Sequence, residues 1–321
     1  MAMRRNPAPA LSPMDRARGS LIGLAAGDAL GTAVEFMRPG TFELLTGLRG
    51  GGALGLQAGE WTDDTSMALC LAESLVTCGK FDERDQMERY LRWYRHGHLS
   101  STGQCVDIGV TVRESLERYE RTGEPFAGLT DPRMAGNGSL MRLAPVAIWF
   151  AGDPAEAMER AGASSRVTHA TEAAVDACRY FAGLLVGAMS GVSKELLLTP
   201  LWSPVTAAFD DAPLCAAITE VARGSFRRKA PPDIKGTGYV VESLEAVLWA
   251  FDTTESFEEG ALAAANLGND ADTTAAVYGQ LAGAYYGVAS IPPIWRMRMA
   301  KRALIEDLAE RLVQERPRAR R

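Results

Sequence analysis

No apolar stretch in the sequence reaches the roughly 20 residues that a membrane-spanning helix needs, so we expect no membrane span. Basic residues do not predominate: the net charge is −6, which argues against a protein whose main task is to bind nucleic acid. There are only three histidines, too few for a histidine-rich metal site. The five cysteines are odd in number and include no CxxC pair, which is typical of reduced cysteines in a cytoplasmic protein.

The remaining composition is that of a globular protein, with 47% hydrophobic and 23% charged residues among 321. This is enough apolar material to bury a large core. Residues 1–13 hold two arginines and three prolines without the apolar segment of a signal sequence, and we expect a disordered arm there. Residues 316–321 are expected to form a disordered basic tail. Between them, 14–315 show no repeat and no linker, which predicts one domain.

The hydrophobic periodicity is helical almost throughout and predicts an all-α fold. Ser12 to Asp15 resemble a capping box with proline at the first helical position. The small residues Gly23, Gly27 and Gly31 on the first helix indicate close packing against another helix. Further helices are predicted from about 62 to 78 and from 82 onward, and at 105–120, 139–150, 170–189, 212–223, 239–251, 257–266, 273–286 and 294–315.

Two acidic clusters begin two of these helices, Thr62-Asp63-Asp64-Thr65 and Asp270-Ala271-Asp272-Thr273. Ordinary N-capping is one explanation, but a single cap needs only one such side chain. If the four aspartates met together with Glu35, they would carry a charge of −5, which two divalent ions would nearly balance with +4. Oxygen ligands without cysteine or histidine favour magnesium, manganese or calcium. Spacing alone does not show that segments some 200 residues apart come together.

A set of motifs in a fixed order resembles the ADP-ribosylglycohydrolase family. The similarity extends over roughly residues 15 to 295 and is carried by these segments: Gly27-Asp28-Ala29-Leu30-Gly31, Val34-Glu35-Phe36, Trp61 to Thr65, Gly136-Asn137-Gly138-Ser139, Thr168-His169 and Gly268 to Thr274. The resemblance implies a compact, single-domain orthogonal helical bundle with a di-metal cleft. It also implies two Mg²⁺ or Mn²⁺ ions held by six side chains, namely Thr62, Asp63, Asp64, Asp270, Asp272 and Thr273. Among them we expect Asp272 to be the bridging carboxylate.

The same resemblance suggests roles for other residues around the cleft. Glu35 matches an acidic residue beside the metals and is the candidate for proton transfer. Asp107 is the candidate partner of a leaving arginine, although it could instead cap the helix at 105–120. The candidates for substrate binding are Gly136, Asn137, Gly138, Ser139, His169 and Tyr239. Residues Gly136 to Ser139, here called the glycine segment, would run directly into a helix and offer backbone N–H groups to the diphosphate. The alternative is a loop that ends in a serine cap.

The implied activity is metal-dependent hydrolysis of the glycosidic bond between ADP-ribose and a protein side chain, most often arginine. ADP-ribosyl-serine, poly(ADP-ribose) or a small ADP-ribosylated molecule is an alternative substrate. A non-catalytic immunity or structural protein on the same fold is an alternative of another class. Loss of the metal-binding aspartates would favour this alternative, but all four are present. We expect a monomer in the cytoplasm that acts on an ADP-ribosylated protein or small molecule.

Overall fold

A computed structural model describes residues 11–316, and within them the chain forms fifteen α-helices with short 3₁₀ turns between them. The described residues contain no β-strand, only isolated bridges such as the one between Leu129 and His169. The all-α prediction is confirmed. In chain order the helices are α1 Pro13–Gly31, α2 Asp63–Cys78, α3 Glu83–His96, α4 Val110–Thr122, α5 Ala144–Trp149, α6 Pro154–Arg166, α7 Glu172–Met189, α8 Lys194–Leu197, α9 Ala208–Asp211, α10 Ala216–Ala222, α11 Val240–Thr253, α12 Phe257–Ala265, α13 Ala271–Tyr286, α14 Pro293–Arg298 and α15 Arg302–Gln314.

Helices α1 and α13 form the centre of the packing, and small residues allow their backbones to touch. A Cβ atom added at Gly23 would overlap with the carbonyl oxygen of Gly279, and one at Gly27 with that of Ala275. Close to the acidic helix start, a Cβ at Gly31 would overlap with the backbone of Asp272. The predicted packing role of these glycines is confirmed. Their spacing brings the end of α1 against the beginning of α13, which is where the site lies.

The first helix begins at Pro13, one residue before the predicted domain boundary. Ser12 caps it, because its hydroxyl accepts a hydrogen bond of 3.1 Å from the backbone N–H of Asp15. The carboxylate of Asp15 in turn accepts hydrogen bonds from the N–H and the hydroxyl of Ser12. The capping box is therefore confirmed. The remainder of the predicted arm, residues 1–10, and most of the predicted tail, residues 317–321, lie outside the described residues. Within residues 11–316, no helix is both long and apolar enough to cross a membrane.

Several predicted helix boundaries are wrong, including that at 212–223, where α10 begins only at Ala216. The helix predicted at 105–120 begins only at Val110, because Asp107 has a left-handed backbone with φ of 57°, which a helix cannot include. The segment predicted as helical from Ser139 becomes an α-helix only at Ala144. The predicted helix at 294–315 is divided into α14 and α15, since Lys301 also has a left-handed backbone.

Helix α6, Pro154–Arg166, was not predicted from the sequence. Its beginning carries a recognisable pattern, since Asp153 precedes a proline at the first helical position and its side chain accepts a hydrogen bond of 3.1 Å from the N–H of Glu156. Helix α6 leads to the loop that holds His169.

Candidate active site

The two acidic helix starts lie next to each other, at the beginning of α2 and of α13. Thr62 precedes α2 and Asp270 precedes α13, but neither side chain makes the hydrogen bond of an N-cap to its own helix. The simple capping explanation is therefore wrong for both. Oxygen atoms of the two clusters approach each other instead: the Thr62 hydroxyl oxygen lies 3.2 Å from Asp64 Oδ2 and 3.4 Å from Asp272 Oδ2.

Asp28, a buried residue of α1, supplies the cap that α2 lacks. One carboxylate oxygen accepts hydrogen bonds from the backbone N–H and the hydroxyl of Thr62, both at 2.9 Å. The other oxygen accepts from the N–H of Thr65 at 3.0 Å and from its hydroxyl at 2.6 Å. Asp28 thereby fixes the start of α2 against α1. It was missing from the predicted site residues, although a charged residue within a stripe of glycines and alanines was visible in the sequence.

Glu35 performs a similar task for α13. Its Oε2 atom accepts hydrogen bonds from the backbone N–H groups of Ala271 at 2.7 Å and of Asp272 at 3.2 Å. These N–H groups belong to the first turn of the helix, where the helix dipole favours a negative charge. Glu35 is almost completely buried yet lines the cleft. Burial, and then the charge of Asp270, raise the pKa of Glu35 to about 8.

Two groups of carboxylates share Asp272. The first consists of Asp28, Asp64 and Asp272, and the second of Glu35, Asp107 and Asp272; within each group, one oxygen from each residue lies within 4.8 Å of the others. Asp64 is fully buried, and within the described part of the chain its Oδ1 atom has no hydrogen-bond partner. An unpaired carboxylate oxygen in the interior is costly unless a cation binds it.

The electrostatics of these residues also favour a cation. Burial, reinforced by neighbouring carboxylates, raises the pKa values of Asp63, Asp64 and Asp272 well above their ordinary range. Without cations such a cluster would retain protons, whereas divalent ions would replace them. The donors are all oxygen atoms, which suits magnesium, manganese or calcium. The residues present therefore fit divalent metal binding.

The cleft beside these carboxylates has a volume of about 620 Å³. Most of the predicted site residues contribute to its lining, namely Glu35, Asp63, Asp107, Gly136, Asn137, Gly138, His169, Asp270 and Thr273. The predicted metal residues Thr62, Asp64 and Asp272 are buried and are not part of the cleft lining. Sequence reasoning did not select Phe36 and Val110, which also line the cleft and are 60% and 53% exposed.

The glycine segment reaches the metal residues through Asn137, whose side-chain NH₂ donates a hydrogen bond of 2.6 Å to Asp270 Oδ2. The expectation that the glycine segment runs directly into a helix is wrong, because α5 begins five residues beyond Ser139. The N–H groups of Gly136 and Asn137 are already bonded to the carbonyl oxygens of Met134 and Gly238.

Ser139 and Tyr239 are the predicted substrate residues that lie outside the cleft lining among the described residues. The Ser139 hydroxyl is buried and lies 2.8 Å from the hydroxyl of Ser165, so it is neither a helix cap nor a surface of the cleft. Tyr239 is 44% exposed, and its backbone pairs with that of Gly136 beside the cleft. Trp61, by contrast, is completely buried and donates to the carbonyl oxygen of Ala300, which makes it a packing residue.

Asp107 does not cap a helix. The residue before α4 is Gly109, and the first turn of α4 receives no side-chain cap. The left-handed backbone of Asp107 places its carboxylate in the group with Glu35 and Asp272. Burial and the charge of Asp270 raise the pKa of Asp107 to about 6. The capping alternative is thus wrong, and a carboxylate without a structural task faces the cleft.

Comparison with known proteins agrees with this geometry. The sequence pattern that defines the ADP-ribosylglycohydrolase family matches residues 9–321. The chain belongs to the ADP-ribosylglycohydrolase family. A solved structure described as an ADP-ribosylglycohydrolase-related protein complex superposes with a TM-score of 0.83 at 44% identity, over 95% of this chain and 99% of the other. The predicted family, fold class and hydrolase activity are therefore confirmed.

Two curated members of the ADP-ribosylglycohydrolase family illustrate the similarity. The ADP-ribosylarginine hydrolase Tri1 of Pseudomonas putida is 43% identical over 95% of this chain and 79% of its own length. The ADP-ribosyl-[dinitrogen reductase] glycohydrolase of Rhodospirillum rubrum is 33% identical over 89% of this chain and 90% of its own.

Proposed function

We propose that this ADP-ribosylglycohydrolase cleaves the bond between ADP-ribose and an arginine side chain of a protein. The observation that carries the proposal is the carboxylate of Asp107, which caps no helix and lines the cleft within the group that contains Glu35 and Asp272. Arginine is always charged, and its planar guanidinium pairs with a carboxylate through two hydrogen bonds. A serine leaving group has no charge and would gain little from Asp107. Relatives named as ADP-ribosylarginine hydrolases support the same choice.

The cofactor in this proposal is a pair of Mg²⁺ or Mn²⁺ ions. We assign them to the six predicted side chains, with Asp272 as the bridge because it belongs to both carboxylate groups. The six are Thr62, Asp63, Asp64, Asp270, Asp272 and Thr273. When bound, such ions hold sugar hydroxyls and lower the pKa of a coordinated water. Asp28 and Asn137 position the assigned ligands, since they bond to Thr62 and Asp270 respectively.

We assign the remaining steps of catalysis and substrate binding to residues of the cleft. The C1–N bond of the ribosyl-guanidine breaks while a water oxygen bonds to C1, and the departing nitrogen gains the proton that the water gives up. Glu35 takes the proton from the water, with the carboxylate oxygen that is not bonded to α13. Asp107 pairs with the guanidinium and orients it. The glycine segment and His169 form the wall along the diphosphate, and Tyr239 lies at its edge.

We further propose that residues 14–315 act as one domain.

All five cysteines lie within the described residues and are unpaired, which supports the cytoplasmic location expected from the sequence.

The experiment that tests the function compares two substrates. Peptides that carry ADP-ribosyl-arginine or ADP-ribosyl-serine are incubated with the protein, with and without EDTA, and the products are identified by mass spectrometry. We expect release of ADP-ribose from the arginine peptide only, and loss of this activity in EDTA. Preference for the serine peptide would replace the proposal with the alternative substrate. Binding of either peptide without cleavage, with metal supplied, would favour the non-catalytic alternative.

A further inference from the structure

Arg142 is a completely buried cation, and among residues 11–316 it has no acidic partner. Its polar contacts are the hydroxyl of Thr168 at 2.7 Å, the carbonyl oxygen of Ser164 at 3.3 Å and the sulfur of Met67 at 3.7 Å. The guanidinium also lies 4.5 Å from the centre of the Tyr90 ring. None of these partners carries a negative charge. Burying an unpaired charge is costly, so a structural role alone does not explain this residue well.

The contacts of Arg142 continue to the cleft through Thr168. The Thr168 hydroxyl oxygen, which accepts from Arg142, lies 2.9 Å from Nδ1 of His169. Thr168 is fully buried, and among the described residues its hydroxyl has no other acceptor within hydrogen-bonding distance. A hydroxyl has one proton to give. Because an arginine only donates, that proton can be used only if Nδ1 of His169 accepts it.

We propose that Arg142 is a positioning residue which, through Thr168, fixes His169 as the neutral imidazole with its proton on Nε2. The opposite arrangement, with the proton on Nδ1, would leave the Thr168 hydroxyl with two donors and a buried proton without an acceptor. The backbone holds the ring in place as well, since the N–H of His169 donates to Ser165 at 2.7 Å and its carbonyl oxygen accepts from the Ser165 hydroxyl at 2.8 Å.

The fixed proton faces the glycine segment of the cleft. A Cβ atom added at Gly138 would lie 3.1 Å from Nε2 and 2.8 Å from the adjacent ring carbon of His169, and one at Gly136 would lie 3.3 Å from Nε2. The glycines thus leave room for the edge of the ring that carries the proton. His169 lines the cleft and offers a donor there. If the proposed function holds, an oxygen of ADP-ribose is the acceptor.

The charge of Arg142 favours the same state. Burial, and then the positive charge of Arg142, lower the pKa of His169 to about 3, so the ring stays neutral at physiological pH. A neutral donor binds an oxygen without acting as an acid. Arg142 therefore acts through His169 and does not itself contact the substrate.

The tautomer is measured directly by two-bond ¹H–¹⁵N correlation NMR on protein with ¹⁵N-labelled histidine. The chain has three histidines, so the spectrum of His169→Gln assigns the signals of His169. We expect a single Nε2-protonated form in the wild type. A proton on Nδ1, or a doubly protonated ring at neutral pH, would overturn the proposal. This result does not depend on the activity of the protein, so its failure is separate from failure of the proposed function.

Variants then test each link. Thr168→Val removes the hydroxyl while keeping the shape, and we expect mixed tautomers and an affinity for free ADP-ribose about 10-fold weaker, with a larger effect on KM than on kcat. Thr168→Ser should recover most of the loss. Ser115→Ala is the matched control, because it removes hydrogen bonds to the carbonyl oxygens of Thr111 and Thr168 but leaves the Thr168 hydroxyl untouched; we expect the wild-type tautomer.

Arg142→Lys tests the hydrogen bonds of the guanidinium separately from its charge. It keeps the charge but loses the planar guanidinium, whose Nη2 donates to both Thr168 and Ser164. We expect a mixture of tautomers. A wild-type spectrum in Arg142→Lys would remove Arg142 from the mechanism, and a wild-type spectrum with unchanged affinity in Thr168→Val would remove the whole relay. If Thr168→Val does not fold, the wild-type spectrum and Arg142→Lys still decide the question.

Discussion

The carboxylate of Glu35 accepts a hydrogen bond of 2.7 Å from the backbone N–H of Ala271, a residue 236 positions further along the chain. This contact joins the end of the first helical segment to the start of α13 and leaves the second carboxylate oxygen without a hydrogen-bond partner among the described residues. A residue in this position has a structural and a chemical task, and a substitution that preserves one can remove the other.

Glu35→Gln makes this separation, because the amide oxygen can still accept from Ala271 and Asp272 whereas the amide cannot take up a proton. We expect turnover to fall by at least about 10²-fold, the usual contribution of a general base. Metal content, measured by elemental analysis, and thermal stability should stay near wild type. A variant that retains more than about a tenth of the wild-type rate would exclude Glu35 from proton transfer.

Asp28→Asn should weaken the site without touching the cleft. The carboxylate accepts four hydrogen bonds from Thr62 and Thr65, and an amide would present its own N–H groups to one pair of these donors. We expect the free energy of unfolding to fall by about 2–4 kcal/mol, measured with urea, together with weaker metal binding. Asp153→Asn is the control: this exposed cap of α6 tolerates asparagine, so its change should stay below about 0.5 kcal/mol. Equal effects of the two variants would contradict the role of Asp28.

The sequence predicted those parts of the site that local patterns encode. The acidic residues at the starts of α2 and α13 are visible because helix periodicity begins directly after them. That the two starts meet came only from the resemblance to the family, since no local pattern reports a contact over 200 residues. Asp28 was missed because it sits inside α1, where its neighbours indicate packing and its partners are remote.

Loop conformation was the other failure. The helix predicted at 105–120 included Asp107, yet the left-handed backbone of this residue is incompatible with a helix there. Ser139 was also predicted wrongly: its buried hydroxyl forms a hydrogen bond with the hydroxyl of Ser165 and does not cap the helix that follows. The relay from Arg142 to His169 depends on the direction of hydrogen bonds between three residues, Arg142, Thr168 and His169, which no sequence pattern shows.

Metal binding should involve two ions per chain, with Asp272 essential to both. Calorimetric titration of the EDTA-treated protein with Mn²⁺ should give a stoichiometry of two, and a crystal soaked in Mn²⁺ should show two anomalous peaks about 3.5–4 Å apart. Because Asp272 belongs to both carboxylate groups and Asp64 to only one, Asp272→Asn should weaken the binding of both ions, whereas Asp64→Asn should leave one ion largely in place. A stoichiometry of one in the wild type would contradict the two-ion proposal.

The metal-free protein should lose stability as the pH rises. Folding raises the pKa of Glu35 to about 8 and those of Asp28 and Asp107 to about 6, above the roughly 4 of an unfolded chain. The folded state therefore binds more protons than the unfolded state between about pH 4 and pH 8, and the free energy of unfolding falls through this range. Urea unfolding in EDTA at pH 5 and pH 8 measures the change, and Mn²⁺ should reverse it at pH 8. In Asp64→Asn the slope should be smaller; a metal-free wild type equally stable at both pH values would refute the argument.

Asp107 decides the choice of leaving group. Because its backbone is left-handed, Asp107→Ala would add strain of roughly 1 kcal/mol, so Asp107→Asn is the better variant: asparagine tolerates this conformation and removes only the charge. Since Asp107 caps no helix, the free energy of unfolding of the metal-bound protein should not fall. For ADP-ribosyl-arginine we expect kcat/KM to fall by at least roughly 10²-fold, because a charged hydrogen-bonded pair beside the reacting bond is lost. Metal content should stay unchanged. Cleavage of the arginine conjugate at a near wild-type rate would remove the structural support for arginine, and the serine or small-molecule substrate would then become the better assignment.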